Sequence, residues 1–444
     1  MLFKQFLDDD LGCASYLVGC EVAGEAVVVD PAYAIEPYLE EAARRDVRIV
    51  RVLETHNHAD HLSGHGRFAL EHGIPVAVHP LCDPRYPFDA LEDGQEIEVG
   101  NVRLTVVHTP GHRPEHCCLA ITDRTRANEP WLLLTGDSLF VGDAARPDLA
   151  VEEREGAEGL FHSLHRLLEL PDGVEVYPGH VAGSLCGRGM SSKASTTIGF
   201  ERRFNPALLL GTVEQFVAHS AAVSTPRPPN MELIVELNQG PFVAGRPELF
   251  ELASPGGAPV LDVRPADDFV AGHVHGALNV PVSGSSFATK AGFVLPPDTA
   301  VAIHASSHAE ADRAARGLYS VGFLDIAGYL AHPPLTERIE PLEVAELEGL
   351  LADGSIELVD VREADERSAE PLPDSSHVPY REAASAAGDL PRDRVIVPIC
   401  ESGARAAVAA SVFAARGLNV RPVIHGGIHD LQAVAASSLS ASRT

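Results

Sequence analysis

The sequence predicts a layered α/β protein in three parts: a large first block, then two shorter copies of a second unit. Three observations carry this reading. Strand-like apolar runs alternate with helical stretches through the first half. Two stretches of the second half repeat one another, their aspartates Asp262 and Asp360 standing 98 residues apart. Pro/Gly-rich segments fall at Ser224–Asn230, Ser254–Pro259 and His332–Pro334, where linkers or domain edges are expected. A chain of 444 residues has room for three such parts, at a prior of roughly 150 residues per domain.

In the first block, strands are expected at Ala26–Val29, Ile49–Leu53, Val102–Val107, Trp131–Leu134 and Val174–Tyr177, with helices at Glu36–Arg45 and Gly159–Glu169. In the repeats, Val260-Leu-Asp-Val-Arg264 parallels Leu358-Val-Asp-Val-Arg362, and Val301-Ala-Ile-His304 parallels Val397-Pro-Ile-Cys400, 96 residues on. An Ala/Arg-rich amphipathic helix follows each, at Ala309–Val321 and Ala404–Leu418. On this alignment the copies differ at the residue ending the central strand, His in the first and Cys in the second.

Composition excludes several functions. Apolar residues make up 45% and charged residues 22%, an ordinary globular balance. The 34 Lys and Arg against 63 Asp and Glu leave a net charge of −29. Neither a nucleic-acid backbone nor an anionic membrane is expected as a partner. The opening MLFKQFLDDD turns acidic too soon for a signal peptide, and no apolar run is long enough to span a bilayer. Seven scattered cysteines without a CxxC pair point to free thiols in a reducing cytoplasm. The 21 histidines are the one conspicuous excess.

Many of them sit at strand ends. Thr55-His-Asn-His-Ala-Asp-His61 follows the strand ending at Leu53, and Thr109-Pro-Gly-His112 ends another. Thr135-Gly-Asp137 and Tyr177-Pro-Gly-His180 end two more. Loops leaving strand tips can aim imidazoles and carboxylates into one cavity, and these are ligand types for Zn or non-haem Fe. His56 and His58, at i and i+2, can share one metal, with Asp60 and His61 pointing to a neighbouring position.

These ordered motifs resemble the metallo-β-lactamase fold, which implies an αββα sandwich over about the first 245 residues. Two branches of that fold compete. A hydroxyacylglutathione hydrolase would hold two metals bridged by Asp137, with His56, His58 and His112 on one and Asp60, His61 and His180 on the other. A persulfide dioxygenase would hold a single Fe(II) on His56, His112 and Asp137, a facial triad with open positions for O2 and a persulfide sulfur. The segments Gly136–Leu149, His180–Gly189 and Ser195–Pro206 resemble the persulfide dioxygenase branch. That branch implies one Fe(II) per chain, with Zn as a substitute or as the metal of the hydrolase alternative; His58, Asp60, His61 and His180 then form a second site or surround the first.

Cys400-Glu-Ser-Gly-Ala-Arg405 lies between an apolar strand and a helix. A short loop there can turn its N–H groups and the helix dipole on a thiolate or a persulfide anion. With Asp360-Val-Arg362 upstream and Ile424-His-Gly-Gly-Ile428 downstream, the unit resembles a rhodanese domain, which implies sulfur transfer through Cys400 with Arg405 at the rim. Its glycine-rich segment is degraded to Asp374-Ser-Ser-His-Val-Pro-Tyr380. The first copy keeps that segment as Gly272–Pro281 but has His304-Ala-Ser-Ser-His308 in place of the cysteine loop, so it reads as a non-catalytic rhodanese homologue that spaces or docks the active domains.

Together the resemblances imply a metallo-β-lactamase-like domain over 1–245, a degenerate rhodanese-like domain over 246–335 and an active one over 336–444. They imply oxidation of a low-molecular-weight thiol persulfide, such as that of glutathione or coenzyme A, to sulfite by O2. Sulfane-sulfur exchange with sulfite or thiosulfate at Cys400 accompanies it. The alternatives are a binuclear Zn thioester hydrolase with a sulfur-handling appendage, and a non-enzymatic sulfur-relay or sensing module; a homo-oligomer is compatible with each. For an anionic substrate, Arg188, Lys193, Arg202 and Arg203 are the candidate cations. Cys20, Cys117 and Cys118 read as core, Cys186 as a structural or exposed thiol, and His65, His72, His79, His162, His165 and His219 as surface or helix-face residues.

Overall fold

The computed structural model describes residues 1–147, 153–181, 191–221, 227–297, 299–352 and 354–433. The chain forms two compact units, Met1–Arg246 with Ser320–Gly322, and Pro247–Tyr319 with Phe323–Thr444.

In the first unit, two six-stranded sheets face each other. One runs Leu2–Leu7, Ala14–Cys20, Glu25–Val29, Arg48–Leu53, Val76–Val78, Asp89–Ala90; the other runs Thr196–Thr197, Glu175–Pro178, Leu132–Gly136, Cys117–Asp123, Val102–His108, Glu96–Val99. Alternation sorts the side chains into layers. Tyr16, Val18, Val27, Val29 and Leu53 of the first sheet meet Leu104, Val106, Leu119 and Leu134 of the second. Leu17, Val28 and Val52 turn outward under Tyr38, Ala42 and Phe68 of the helices Glu36–Arg44 and His65–His72. Cys118, Leu133 and Val176 turn outward under Ala157, Leu160 and Leu164 of Glu153–Leu167. The order helix, sheet, sheet, helix is the αββα sandwich. Its inner strands are covered on both faces, which is why Ala14–Cys20 and Cys117–Asp123 are buried at every position.

The second unit holds two parallel sheets, ordered Leu278–Asn279, Val260–Asp262, Val301–His304, Ile326–Leu330 and Ser376–His377, Ile356–Asp360, Val395–Ile399. Register corrects the sequence alignment of the copies. Asp262 pairs with His304, whereas Asp360 pairs with Ile399. The N–H of Val263 donates to His304 O and that of Val361 to Ile399 O, at 2.9 and 3.0 Å. His304 is therefore the counterpart of Ile399, and Ala305, fully buried, stands where the other copy has Cys400. Matching Val301 to Val397 by letter overlooked that the loop before the helix is one residue shorter in the first copy.

The degraded segment of the second copy keeps its geometry. Asp374 takes the left-handed backbone (φ +54) that Gly276 takes in the first copy (φ +70), a conformation Asp tolerates better than most residues. His377 Nε2 bonds the carbonyl of Arg362 at 2.9 Å, as Asn279 Nδ2 bonds that of Arg264 at 3.0 Å. The helix Ala404–Ala415, expected to be amphipathic, is buried at every position from Ala406 to Phe413. Its outer face packs on the first copy, where Ala407 and Ala414 join Val260, Phe269 and Leu330, and Ser411 Oγ accepts from the Asn279 N–H at 2.9 Å. Among the described residues, no helix is long and apolar enough to cross a membrane.

Candidate metal centre and sulfur-transfer loop

Loops at one edge of the sandwich bring His56, His112, Asp137 and His180 together. Strand Arg48–Leu53 delivers His56, Leu132–Gly136 delivers Asp137, Glu175–Pro178 delivers His180, and the turn after Val102–His108 delivers His112. Three ring nitrogens face one carboxylate oxygen, Asp137 Oδ2: His180 Nε2 at 3.2 Å, His112 Nε2 at 3.7 Å and His56 Nε2 at 4.0 Å. Two glycines make room. A Cβ on Gly136 (φ +45) would lie 2.6 Å from Thr55 Oγ1, and one on Gly179 would lie 2.5 Å from Asp137 Oδ1.

The outer contacts fix which nitrogen of each ring is free. Thr55 Oγ1 donates to Asp30 Oδ2 at 2.8 Å, so it must accept from His56 Nδ1, 2.9 Å away. His112 Nδ1 lies 3.0 Å from the Arg146 carbonyl, which can only accept. Both rings are thus protonated at Nδ1 and turn an Nε2 lone pair inward, the orientation a metal ligand needs. Burial pushes both imidazoles below their ordinary pKa, which keeps them neutral. Burial works against the Asp137 carboxylate, but His180 and His112 outweigh it and hold the group down at about 2.

These residues fit a metal ion. Both Asp137 oxygens are sealed from solvent and make no hydrogen bond of good geometry, His180 Nε2 standing 3.2 Å from Oδ2, and a cation among these ligand atoms would satisfy them. Two neutral imidazoles and a carboxylate within 4.8 Å of one another are a donor set for Fe(II) or Zn.

The other predicted ligands separate. Asp60 and His61 lie beside Cys13, with Cys13 Sγ 3.3 Å from Asp60 Oδ2 and 3.6 Å from His61 Nδ1. His180 Nε2 stands 3.2 Å from Asp60 Oδ2 and so links that cluster to Asp137. His58 instead turns its Nε2 to Glu54 Oε2 at 3.1 Å and Asp30 Oδ1 at 3.4 Å. Burial disfavours its charge, but those two carboxylates raise its pKa well above the ordinary value.

Several residues outside the sequence motifs hold the centre. His116 Nε2 accepts the Asp137 N–H at 2.9 Å, and its Nδ1 meets Thr109 Oγ1 at 2.8 Å; burial pushes its pKa down to about 3. Asn238 Nδ2 donates to the carbonyls of His58 and His61 at 3.0 and 2.8 Å. Glu115 Oε1 accepts the Asn57 N–H at 3.1 Å and pairs with buried Arg113 at 2.6 Å. His65, read from sequence as a surface or helix-face residue, is buried, with Nδ1 3.0 Å from Glu54 Oε1. The THxHxDH text could have flagged Asp30 and Glu54 only as strand-end carboxylates. His116, Asn238 and Glu115 carried no signal, because their partners lie on distant segments.

Of the candidate cations, Arg188 lies outside the described residues, as does Cys186. Lys193 is exposed. Arg202 pairs with Asp172 and bonds the carbonyls of Leu168 and Leu170, and Arg203 lies over the Phe204 ring. Arg202 therefore serves a helix end; among the described residues Arg113, paired with Glu115, is a buried arginine beside the candidate metal centre.

Cys400 lies at the end of strand Val395–Ile399, 1% exposed. Gly403 (φ +83) lets the loop turn directly against Ile424, whose carbonyl oxygen a Cβ there would approach to 2.1 Å. The helix Ala404–Ala415 then starts with its N-terminus toward the loop. Arg405 Nη2 donates to Glu366 Oε1 at 2.8 Å, and that bond holds the Glu366 carboxyl below its ordinary range. In the first copy, His304 Nδ1 lies 2.9 Å from Asp262 Oδ2, and Arg264 binds the same carboxylate at 2.9 and 2.6 Å. With Ala305 at the cysteine position, that copy has no nucleophile there.

Comparison with known proteins agrees with this architecture. Residues 8–180 match the metallo-beta-lactamase superfamily, and residues 247–331 and 343–433 each match the rhodanese-like domain. A metallo-beta-lactamase structure from Staphylococcus aureus superimposes with a TM-score of 0.70 at 30% identity, covering 74% of this chain and 98% of that one. The chain belongs to the metallo-beta-lactamase superfamily and carries two rhodanese-like domains C-terminal to that region in the sequence. Within that superfamily it is similar to the mitochondrial persulfide dioxygenase of Bos taurus, 29% identical over 54% of this chain and 87% of that protein. A Mycobacterium tuberculosis protein of uncharacterised function is 31% identical over 47% of this chain and 98% of its own length.

Proposed function

We propose that the chain is a persulfide dioxygenase joined to a sulfurtransferase, dividing at 1–245, 246–335 and 336–444. The first domain oxidises the sulfane sulfur of a low-molecular-weight thiol persulfide: persulfide, O2 and water give thiol and sulfite. Cys400 of the third domain exchanges sulfane sulfur with a persulfide or thiosulfate. The similarity to persulfide dioxygenases supports this reading in general terms. The single observation that carries it is the pairing of Nδ1-protonated His56 and His112 with the buried carboxylate of Asp137.

In this reading His56, His112 and Asp137 hold one Fe(II), which supplies open positions and one-electron chemistry toward O2. The chain's own groups do the rest. Thr55 and the Arg146 carbonyl orient the two rings, and His116 fixes the backbone at Asp137. Arg113, buried beside the centre, is neutralised by Glu115, and the pair anchors the loop that carries His56 through the Asn57 N–H. At Cys400 the helix Ala404–Ala415 turns its N-terminus to the loop, and Arg405 stands at the rim held by Glu366. The six described cysteines are free thiols, in keeping with a reducing cytoplasm.

A second reading, the binuclear hydrolase, draws on Asp60, His61 and His180 standing together beside Asp137. It also needs His58 at the first ion, and His58 is bonded to Glu54 and Asp30 instead. Anaerobic purification followed by metal analysis decides between them. The expected result is close to one iron per chain with persulfide-dependent O2 uptake; two zincs per chain without O2 consumption would overturn the proposal.

A further inference from the structure

Cys400 could take sulfur from more than one donor, and the charges at the mouth of its loop distinguish them. Glu401, the residue after the nucleophile, is partly exposed and pairs with His429 Nδ1. The other nitrogen of that ring, Nε2, stands 3.2 Å from Glu370 Oε2. The three groups are held at the loop, because the neighbouring Ile428 N–H donates to the Cys400 carbonyl at 3.1 Å.

The guanidinium groups around them are already matched. Arg405 is taken by Glu366 and Arg381 by Glu363. Buried Arg362 is taken by Asp360 at 2.9 Å, with Glu370 3.7 Å away. Residues 336–444 contain no lysine. Arg367 shares Asp360 at 3.6 Å, so among the described residues Glu363, Glu366, Asp360, Glu370 and Glu401 outnumber Arg362, Arg367, Arg381 and Arg405 by one, and Glu401 is the carboxylate held by the His429 imidazole instead of a guanidinium. The helix N-terminus faces the loop and is common to every donor, so it does not discriminate between them.

We propose that this rim selects the sulfane donor by charge: Cys400 takes sulfur from monoanionic persulfides in preference to dianionic donors, thiosulfate among them. Glu401 is the specificity-determining group, and His429, itself 3.2 Å from Glu370, holds it at the mouth. The inference rests on the reading of Cys400 as the sulfur carrier. In the transfer, the Cys400 thiolate attacks the outer sulfur of the donor. The donor S–S bond breaks as the new S–S bond to Cys400 forms, and the electron pair departs with a thiolate or, from thiosulfate, with sulfite. No net oxidation occurs. Coulomb repulsion scales with the product of the charges, so a dianion meets twice the opposition of a monoanion at the same distance.

The test uses the full-length chain without O2 and maps persulfidation of Cys400 by peptide mass spectrometry. The donors are mercaptoethanol persulfide, mercaptopropionate persulfide and thiosulfate, each at low and high salt. The mercaptoethanol persulfide rate is expected to exceed those of the two dianions, and the gap narrows as salt screens the rim. Glu401→Gln raises the ratio of the thiosulfate rate to the mercaptoethanol persulfide rate by about five- to tenfold, Glu401→Lys raises it further, and Glu401→Asp restores the wild-type ratio. Thiosulfate outrunning mercaptoethanol persulfide at low salt in the wild type, or a Glu401→Gln ratio within about twofold of wild type, overturns the proposal. A folded chain in which no donor reaches Cys400 overturns the sulfurtransferase reading itself.

Discussion

The imidazole of His116 accepts the backbone N–H of Asp137 at 2.9 Å, so a residue outside every motif sets where the central carboxylate starts. Neutral His116 can do this only with its proton on Nδ1, where Thr109 Oγ1 stands 2.8 Å away. The pair forms a brace behind the backbone of Asp137.

His116→Gln should therefore weaken metal retention while leaving the sandwich folded. The expected loss is about 10- to 100-fold in iron affinity, the usual scale for outer hydrogen-bond partners of metal ligands. Competitive chelator titration measures it; an unchanged affinity would show that Asp137 is positioned without the brace.

Gly179→Ala tests the close approach at the carboxylate. The added Cβ would lie 2.5 Å from Asp137 Oδ1 and 3.0 Å from the Gly136 carbonyl carbon, so the carboxylate must move. Iron content should fall by at least about tenfold at fixed free metal. Gly173→Ala, where a Cβ meets nothing within 4 Å, is the matched control.

Cys400→Ser should abolish thiosulfate:thiol exchange and leave persulfide-dependent O2 uptake in place. The register adds a second part: Ala305→Cys puts a thiol at the counterpart position of the first copy. It should not restore exchange in the Cys400→Ser background, because that loop is a residue short and has no arginine matching Arg405. Exchange at more than about one hundredth of the wild-type rate in the double variant would contradict this account of the loop.

The buried Asp262, His304 and Arg264 cluster sets a pH-dependent contribution to stability. Burial raises the Asp262 carboxyl, but His304 and Arg264 outweigh it and hold the folded value below the ordinary one. A depressed carboxyl stabilises the fold above its unfolded pKa of about 3.9, and that stability is lost as pH falls through the lower folded value. His304→Ala should cost about 2 kcal/mol at neutral pH, since one partner of a buried carboxylate is gone. The variant should also lose stability less steeply than wild type below about pH 4 in urea melts. Parallel acid profiles for the two proteins would exclude the linkage.

Much of the fold was legible because its signals are local. Strands covered on both faces must be apolar throughout, so runs such as Ala26–Val29 and Val395–Ile399 stand out in the text. The burial of the helix Ala404–Ala415 on all sides was not legible, because its second face is covered by residues far upstream, Val260 and Phe269 among them. The same limit applies to the copies: letters matched Cys400 to His304, and only hydrogen-bond register moved the match to Ala305.

Read alone, the residues indicated the fold class, candidate ligand types at four strand ends, and the cysteine loop between strand and helix. Spacing within a short segment constrains which chemistry can occur there. Which of those ligands face one another was decided by the folded chain. It directed His58 to Glu54 and Asp30, bridged Asp60 to Asp137 through His180, and recruited His116 and Asn238 as braces. Those outcomes depend on hydrogen bonds between segments far apart in the chain, and such bonds exist only once the sheets have packed.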